Sequence, residues 1–386
     1  MIPYGRQDIT EADIEAVVSV LRSDYLTQGP MVPRFEKLAA GYVGVRYALA
    51  VNSATSALHI SCLALGLGPG DWLWTSPITF VASANCGLYC GAQVDFVDID
   101  PITYNLCPLS LERKLQQAEN EGKLPKVVVL VHLCGQACDM VAIQRLAVRY
   151  GFKVIEDASH ALGGKYRNEF IGNCRYSDIT VFSFHPVKAI TTAEGGMVLT
   201  NDGELARKMA LFRSHGITRD PLQMTHKIDG PWSYQQIELG FNYRMSDLQA
   251  ALGMSQLSRL DMYIERRHVL AKRYDILLRN LPVITPTQHL DSYSGLHLYV
   301  IRLQLDQIKN SHHEVFESLR EQGIGVNLHY IPIHTQPYYQ RFGFKVGDFP
   351  ESERYYADAI SLPLFQTMTE TQQDIVIDAL EKAINV

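Results

Sequence analysis

Between Tyr47 and Thr200 short apolar runs alternate with longer amphipathic stretches, and this alternation constrains the chain more than any other feature. Runs of strand type fall at 47–51, 72–75, 92–97, 127–132, 153–156, 179–183 and 197–200. Helical periodicity fills the gaps at 54–65, 81–90, 109–121, 140–149 and 203–214. Strands alternating with helices imply βαβ units, and hence an α/β fold on a large, mostly parallel sheet. Ligands of such sheets bind at the carboxyl ends of the strands, so the residues after each strand carry the functional reading.

The 386 residues allow two domains, expected at 1–255 and 256–386. A helix opens at Thr10, with Asp13 three residues on as a near capping box. A second helical stretch covers 34–41. The polar stretch 220–238 reads as a long loop. One long helix is expected from Ser246 past Arg267, leading into a smaller α+β unit with strands at 297–303 and 325–328 around a helix at 311–322.

The net charge of −6 and scattered basic residues exclude a nucleic-acid or anionic-membrane surface. No apolar run is long enough to span a bilayer, and the N-terminal residues lack a signal-peptide core. Seven cysteines without a dense pattern point to a reducing compartment, the cytoplasm. Cys134 and Cys138 have no matching pair, so no metal site is expected.

The segment from Phe182 to Gly196 ends an apolar run and then presents one lysine, Lys188, among Pro, Thr and Gly. A desolvated lysine loses basicity and becomes a nucleophile toward an aldehyde; Ser183, five residues earlier, could hold a phosphate. The segment reads either as a lysine carrying a pyridoxal phosphate Schiff base or as a snorkelling lysine at a strand end. Asn52-Ser53-Ala54-Thr55-Ser56-Ala57 follows a strand and opens a helix, which makes either an anion cradle or an ordinary cap. Asp157, after the 153–156 strand, suits a pyridine nitrogen partner, or a helix cap beside a surface His160. Phe80, at another strand end, is either a stacking aromatic or core. Asn242 and Arg244, which end the polar loop, can grip phosphate and carboxylate, or cap a helix and pair on the surface.

These features occur in the order found in fold-type I pyridoxal-phosphate aminotransferases. More narrowly the chain resembles, end to end, the DegT/DnrJ/EryC1/StrS family of nucleotide-sugar aminotransferases. The likeness rests on Leu26-Thr27-Gln28-Gly29, Asn52 to Leu58, Glu156-Asp157-Ala158-Ser159-His160-Ala161, Phe182 to Lys188, Glu194-Gly195-Gly196, Gly240 to Met245, and Leu328-His329-Tyr330-Ile331-Pro332-Ile333. Thr75-Ser76-Pro77, His185-Pro186-Val187-Lys188 and Leu211 to Ile217 are similar to members that act in pseudaminic acid biosynthesis. Cys134 departs from the aromatic that many relatives carry there.

The resemblance implies a large sheet domain with a smaller C-terminal α+β domain, and transfer of nitrogen from L-glutamate to a UDP-linked 4-keto-6-deoxy sugar. The sugar nucleotide would be UDP-2-acetamido-2,6-dideoxy-β-L-arabino-hex-4-ulose. The alternatives are a sugar of the perosamine or 4-amino-arabinose type, or a non-catalytic regulator on the same fold. Dehydratases of the family carry histidine in place of the lysine, so Lys188 speaks against that activity. The resemblance further implies Lys188 as cofactor anchor and proton carrier, Asp157 at the pyridinium, His160 near the 3′ oxygen and Phe80 on the ring. Ala54, Thr55 and Ser183 would hold the phosphate, with Asn242 from the partner of a homodimer with shared sites. Tyr4, Asp24, Tyr25, Leu26, Thr27, His185, Arg244, His329, Tyr330, Ile331 and Pro332 would line the substrate site.

Overall fold

The computed structural model describes residues 1–385. Its centre is a seven-stranded sheet in the order Tyr47–Val51, Gly196–Thr200, Ile179–Ser183, Lys153–Asp157, Val127–Val131, Trp72–Thr75, Gln93–Phe96. All pairings are parallel except those of Gly196–Thr200, which runs antiparallel to both neighbours. The strands Val127–Val131 and Ile179–Ser183 are buried along their whole length, as both-face coverage by helices requires. Two apolar clusters flank the sheet. One gathers Phe35, Trp74, Val128, Phe182 and Met197; the other gathers Leu58, Ile60, Val129, Ile155 and Val181. Each such side chain contributes about 1.5–3 kcal/mol by leaving water.

The strand and helix positions read from periodicity recur with boundary shifts of a residue or so. The helix opening at Thr10 spans Glu11–Leu21, and the Asp13 carboxylate accepts from the Thr10 backbone N–H at 2.8 Å. The 34–41 stretch lies inside a longer helix, Met31–Val43.

The expected long helix from Ser246 is instead two helices, Asp247–Leu257 and Leu260–Leu277. Ser258 turns its hydroxyl back to the Ser255 carbonyl at 2.7 Å, and Arg259 leaves helical geometry at φ −108°, ψ 1°. The Arg259 guanidinium then reaches the buried Asp13 carboxylate at 2.6 Å. That charge pair joins the N-terminal helix to the break, a long-range contact that periodicity does not register.

Beyond the break a third apolar cluster, including Leu270, Tyr274, Ile301, Leu319 and Leu380, packs under the antiparallel strands Val283–Ile284, Tyr299–Leu303 and Ala359–Leu362. The expected 325–328 strand is only Ile324–Gly325, paired in parallel with Ile2–Pro3. This pairing anchors the N-terminus and sets Tyr4 against the ring of His329, with centroids 5.3 Å apart. Most of the 220–238 stretch is irregular; Gln235–Gln236 pairs with Ile217–Thr218. Among the described residues no helix is long and apolar enough to cross a membrane. Nor is any group of three or more His, Cys, Asp or Glu placed to hold a metal ion.

Candidate active site

The carboxyl ends of four sheet strands converge on a cavity of about 590 Å³. Tyr47–Val51 leads to the helix Ala54–Ala64, whose first residues, Ala54 and Thr55, face the cavity beside Ser53. Ser53 caps this helix by accepting from the Ser56 N–H at 3.1 Å. The N–H groups of the first turn therefore point outward, a ready anion site. Gly196, on the adjacent strand, runs so close that a Cβ there would stand 2.6 Å from the Ala54 nitrogen. Only glycine lets strand and helix start approach this far.

Lys153–Asp157 delivers Asp157, which is buried yet lines the cavity. One of its carboxylate oxygens accepts from Ser83 Oγ at 2.6 Å. The other accepts from the Ser159 N–H and Oγ at 3.2 and 2.5 Å. Ser83 in turn meets Thr79 Oγ1 at 2.8 Å. These donors hold the carboxylate in one orientation. Ile179–Ser183 brings Ser183 to the wall, followed by His185 and Lys188. Burial pulls the Lys188 amine down to about 8, the Asp157 charge opposing part of the shift. Its Nζ lies 3.5 Å from His297 Nε2. Phe80 lines the cavity with its ring 58% exposed, an open aromatic face.

The opposite wall comes from the C-terminal part: His297, Asn327, Leu328, His329 and Tyr330, with Tyr4 from the anchored N-terminus. Burial keeps the His160, His297 and His329 rings from protonating, with the Lys188 charge adding to the effect. His160 does not stand on the wall. Its Nδ1 accepts from the Cys134 backbone N–H at 3.3 Å, so the neutral ring carries its proton on Nε2. That N–H donates to the Tyr330 hydroxyl oxygen at 3.1 Å. The Tyr330 proton is then free to point elsewhere, and burial raises that phenol far above its ordinary range. Tyr330 is accordingly a fixed hydrogen-bond donor.

Ala54, Thr55, Phe80, Asp157, Ser183, Lys188, Tyr4, His185, His329 and Tyr330 thus meet around one cavity. The other expected site residues do not line it within this single chain. Asp24, Tyr25, Leu26 and Thr27 lie on an exposed loop whose Leu26 carbonyl accepts from the Asp247 N–H. Asn242 is exposed and Arg244 half-buried, on a segment bridged to Ser214 and Val51. Ile331 is exposed, and Pro332 is buried beside Ile333, whose N–H reaches the Pro77 carbonyl. The sequence reading singled out no role for Ser83, Ser159, His297, Asn327 or Arg267. Among them only His297 leaves a trace, as a lone histidine opening an apolar strand run.

A profile of the DegT/DnrJ/EryC1/StrS aminotransferase family matches residues 7–381. The chain is 39% identical over 386 residues to the spore coat polysaccharide biosynthesis protein SpsC of Bacillus subtilis, covering 99% of this chain and 97% of that protein. It is 37% identical over 382 residues to the UDP-4-amino-4,6-dideoxy-N-acetyl-beta-L-altrosamine transaminase of Campylobacter jejuni, covering 98% and 96%. The structure of Helicobacter pylori PseC, an aminotransferase in pseudaminic acid biosynthesis, superposes with a TM-score of 0.90 at 32% identity, covering 99% of each chain. The chain belongs to the DegT/DnrJ/EryC1/StrS aminotransferase family, whose members use pyridoxal phosphate.

Proposed function

We propose that this aminotransferase moves nitrogen from L-glutamate to the C4 carbonyl of UDP-2-acetamido-2,6-dideoxy-β-L-arabino-hex-4-ulose, giving the UDP-4-amino-4,6-dideoxy-N-acetyl-β-L-altrosamine of pseudaminic acid biosynthesis. The observation that carries the chemistry is the Lys188 amine, kept weakly basic by burial beside the shielded Asp157 carboxylate. Similarity to the C. jejuni transaminase and to PseC supports the sugar.

The residues present fit the cofactor. The close approach of Gly196 to Ala54 leaves a cradle at a helix start for its phosphate, completed by Thr55 and Ser183. Phe80 offers a face for its ring and Asp157 a carboxylate for its ring nitrogen. When bound, pyridoxal phosphate supplies an aldehyde that exchanges amines and a ring that withdraws electrons. Lys188 Nζ anchors it and then takes and returns the proton of the donor's Cα. Asp157 keeps a proton on the ring nitrogen. His160 acts through Tyr330, whose hydroxyl proton turns toward the cavity. Tyr4, His185 and His329 line the cavity that a sugar nucleotide would enter.

The enzyme works as a homodimer with shared sites. Asn242, Arg244 and the 24–27 loop lie off the cavity of their own chain, which suits a role across a subunit boundary. Leu222, Trp232, Tyr234 and Leu239 support this, being 55–94% exposed on the segment that leads to Asn242. The break between Asp247–Leu257 and Leu260–Leu277, with a separate apolar cluster beyond it, supports two domains at 1–255 and 256–386. Seven free cysteines suit a reducing cytoplasm.

A second reading is amination of another nucleotide-linked 4-keto sugar of the perosamine or 4-amino-arabinose type; the similarity to SpsC, named for spore coat polysaccharide biosynthesis, supports a pathway other than that of pseudaminic acid. Incubation with glutamate and a panel of UDP- and GDP-4-keto sugars, with NMR of the product, separates the two. The first reading requires the altrosamine product to dominate. Borohydride reduction should fix the cofactor to Lys188; a label on Lys153 or Lys165 would remove the assignment.

A further inference from the structure

His297 is 4% exposed, and its Nε2 lies 3.5 Å from the Lys188 amine. Its Nδ1, next to the main chain, is buried and has no hydrogen-bond partner. Behind it lies Arg267, wholly buried on the Leu260–Leu277 helix. The guanidinium donates to the carbonyls of Leu296, His297 and Leu364 at 3.2, 3.3 and 3.0 Å, and to Gln366 Oε1 at 3.0 Å. No carboxylate neutralises it among these partners. A buried cation so placed is costly unless the backbone it grips must be held.

The tautomer follows from these surroundings. Nδ1 has no acceptor for an N–H in its buried surroundings, and the nearby Arg267 charge opposes added positive charge on the ring. The proton therefore sits on Nε2, the nitrogen that faces Lys188. An N–H aimed at a lysine nitrogen stabilises the free base and opposes the ammonium.

We propose that His297 is a positioning residue for Lys188, its Nε2–H donating to the lysine nitrogen while Arg267 clamps the backbone that carries the ring. This rests on Lys188 being the cofactor-bearing lysine. The other groups around the amine are accounted for. Asp157 favours the charged amine, whereas the neutral His160 and His329 rings, the un-ionised Tyr330 phenol and burial do not. Glu194 and His185 line the same cavity, and a Glu194 carboxylate would favour the charged amine as Asp157 does.

The test is the titration of Lys188 in the full-length, cofactor-free protein. It is read from the pH dependence of trinitrophenylation of its peptide by mass spectrometry, with Lys153 and Lys165 as internal controls. Wild-type Lys188 should titrate at about 8. His297→Phe should move it up by about one unit, tenfold less free base at neutral pH, with the control lysines unmoved. An unmoved Lys188 titration in His297→Phe would overturn the proposal. A measurement on the wild type avoids dependence on folding of that variant. In ¹⁵N-histidine-labelled protein the signals lost in His297→Asn should be those of a neutral ring protonated at Nε2. Read at pH of about 9, where the Lys188 amine is free to accept, a ring protonated at Nδ1 or an imidazolium equally overturns it. Borohydride labelling of a different lysine would instead strike the function assigned to Lys188 and leave this titration as it stands.

Discussion

At the scale of single residues, the Asp157 carboxylate carries the site, because it is both buried and held by named donors. Asp157→Asn keeps the shape and removes the charge proposed to retain a proton on the ring nitrogen. The glutamate half-reaction, followed by stopped-flow absorbance, should slow by roughly two orders of magnitude or more. Ser83→Ala removes one neutral donor to that carboxylate. Such a bond contributes about 1 kcal/mol, so a loss of roughly fivefold is expected. Equal losses in the two variants would show that Ser83 does more than orient Asp157. Asp157 was legible in the sequence because it ends an apolar strand run. Ser83 was not, since its partner lies 74 positions away.

At the scale of elements, the proposed anion cradle is a packing event between the Gly196–Thr200 strand and the start of the Ala54–Ala64 helix. Gly196→Ala places a methyl group 2.6 Å from the Ala54 nitrogen, closer than real contacts allow. The helix start must shift, and its first N–H groups with it. Cofactor affinity, measured by absorbance titration of the cofactor-free protein, should fall at least about tenfold, the equivalent of one strong charge-assisted contact. Helix content by circular dichroism should stay unchanged. Retained affinity would mean that the phosphate is held elsewhere. The hydroxyl-rich turn at Ser53 was readable as a cap or a cradle; Ser53 does cap the helix, and the close approach of Gly196 supports the cradle beside it.

At the scale of the whole molecule, the sheet half of the chain and its C-terminal part meet over three buried neutral imidazoles, His160, His297 and His329. The consequence for pH has a definite sign. His329 is pushed down by burial to about 3 in the folded protein, against 6.5 for the ordinary group. Between those values the unfolded chain binds a proton that the folded chain refuses. Stability is therefore full above 6.5 and is lost as the pH falls toward 3. The unfolding midpoint of the cofactor-free protein should drop between neutral pH and pH of about 5, above the range of ordinary carboxylates. His329→Asn should flatten that drop. A profile identical to the wild type would locate the acid sensitivity elsewhere. The proposed shared-site dimer makes a separate prediction. Lys188→Ala and Asn242→Ala chains, each impaired alone, should complement when mixed. Random pairing restores one site in half of the dimers, about one quarter of wild-type activity. No recovery after verified subunit exchange would place Asn242 outside the partner's site.

The sequence by itself determined the layered α/β architecture, because strand and helix periods are local and need no partner to be read. It also placed Asp157 and Ser183 at strand ends, with Lys188 on the loop that follows, since a parallel sheet sends its strand ends to one edge. Tertiary structure alone decided the rest. The helix expected past Arg267 breaks where Arg259 turns to Asp13, and Tyr4 is held because Ile2–Pro3 pairs with Ile324–Gly325. His160 lies behind Tyr330, and His297 rather than a neighbour in sequence faces Lys188. Each of these depends on contacts between residues far apart in the chain. Periodicity carries no information about such contacts, which are set when one packed unit closes on the other.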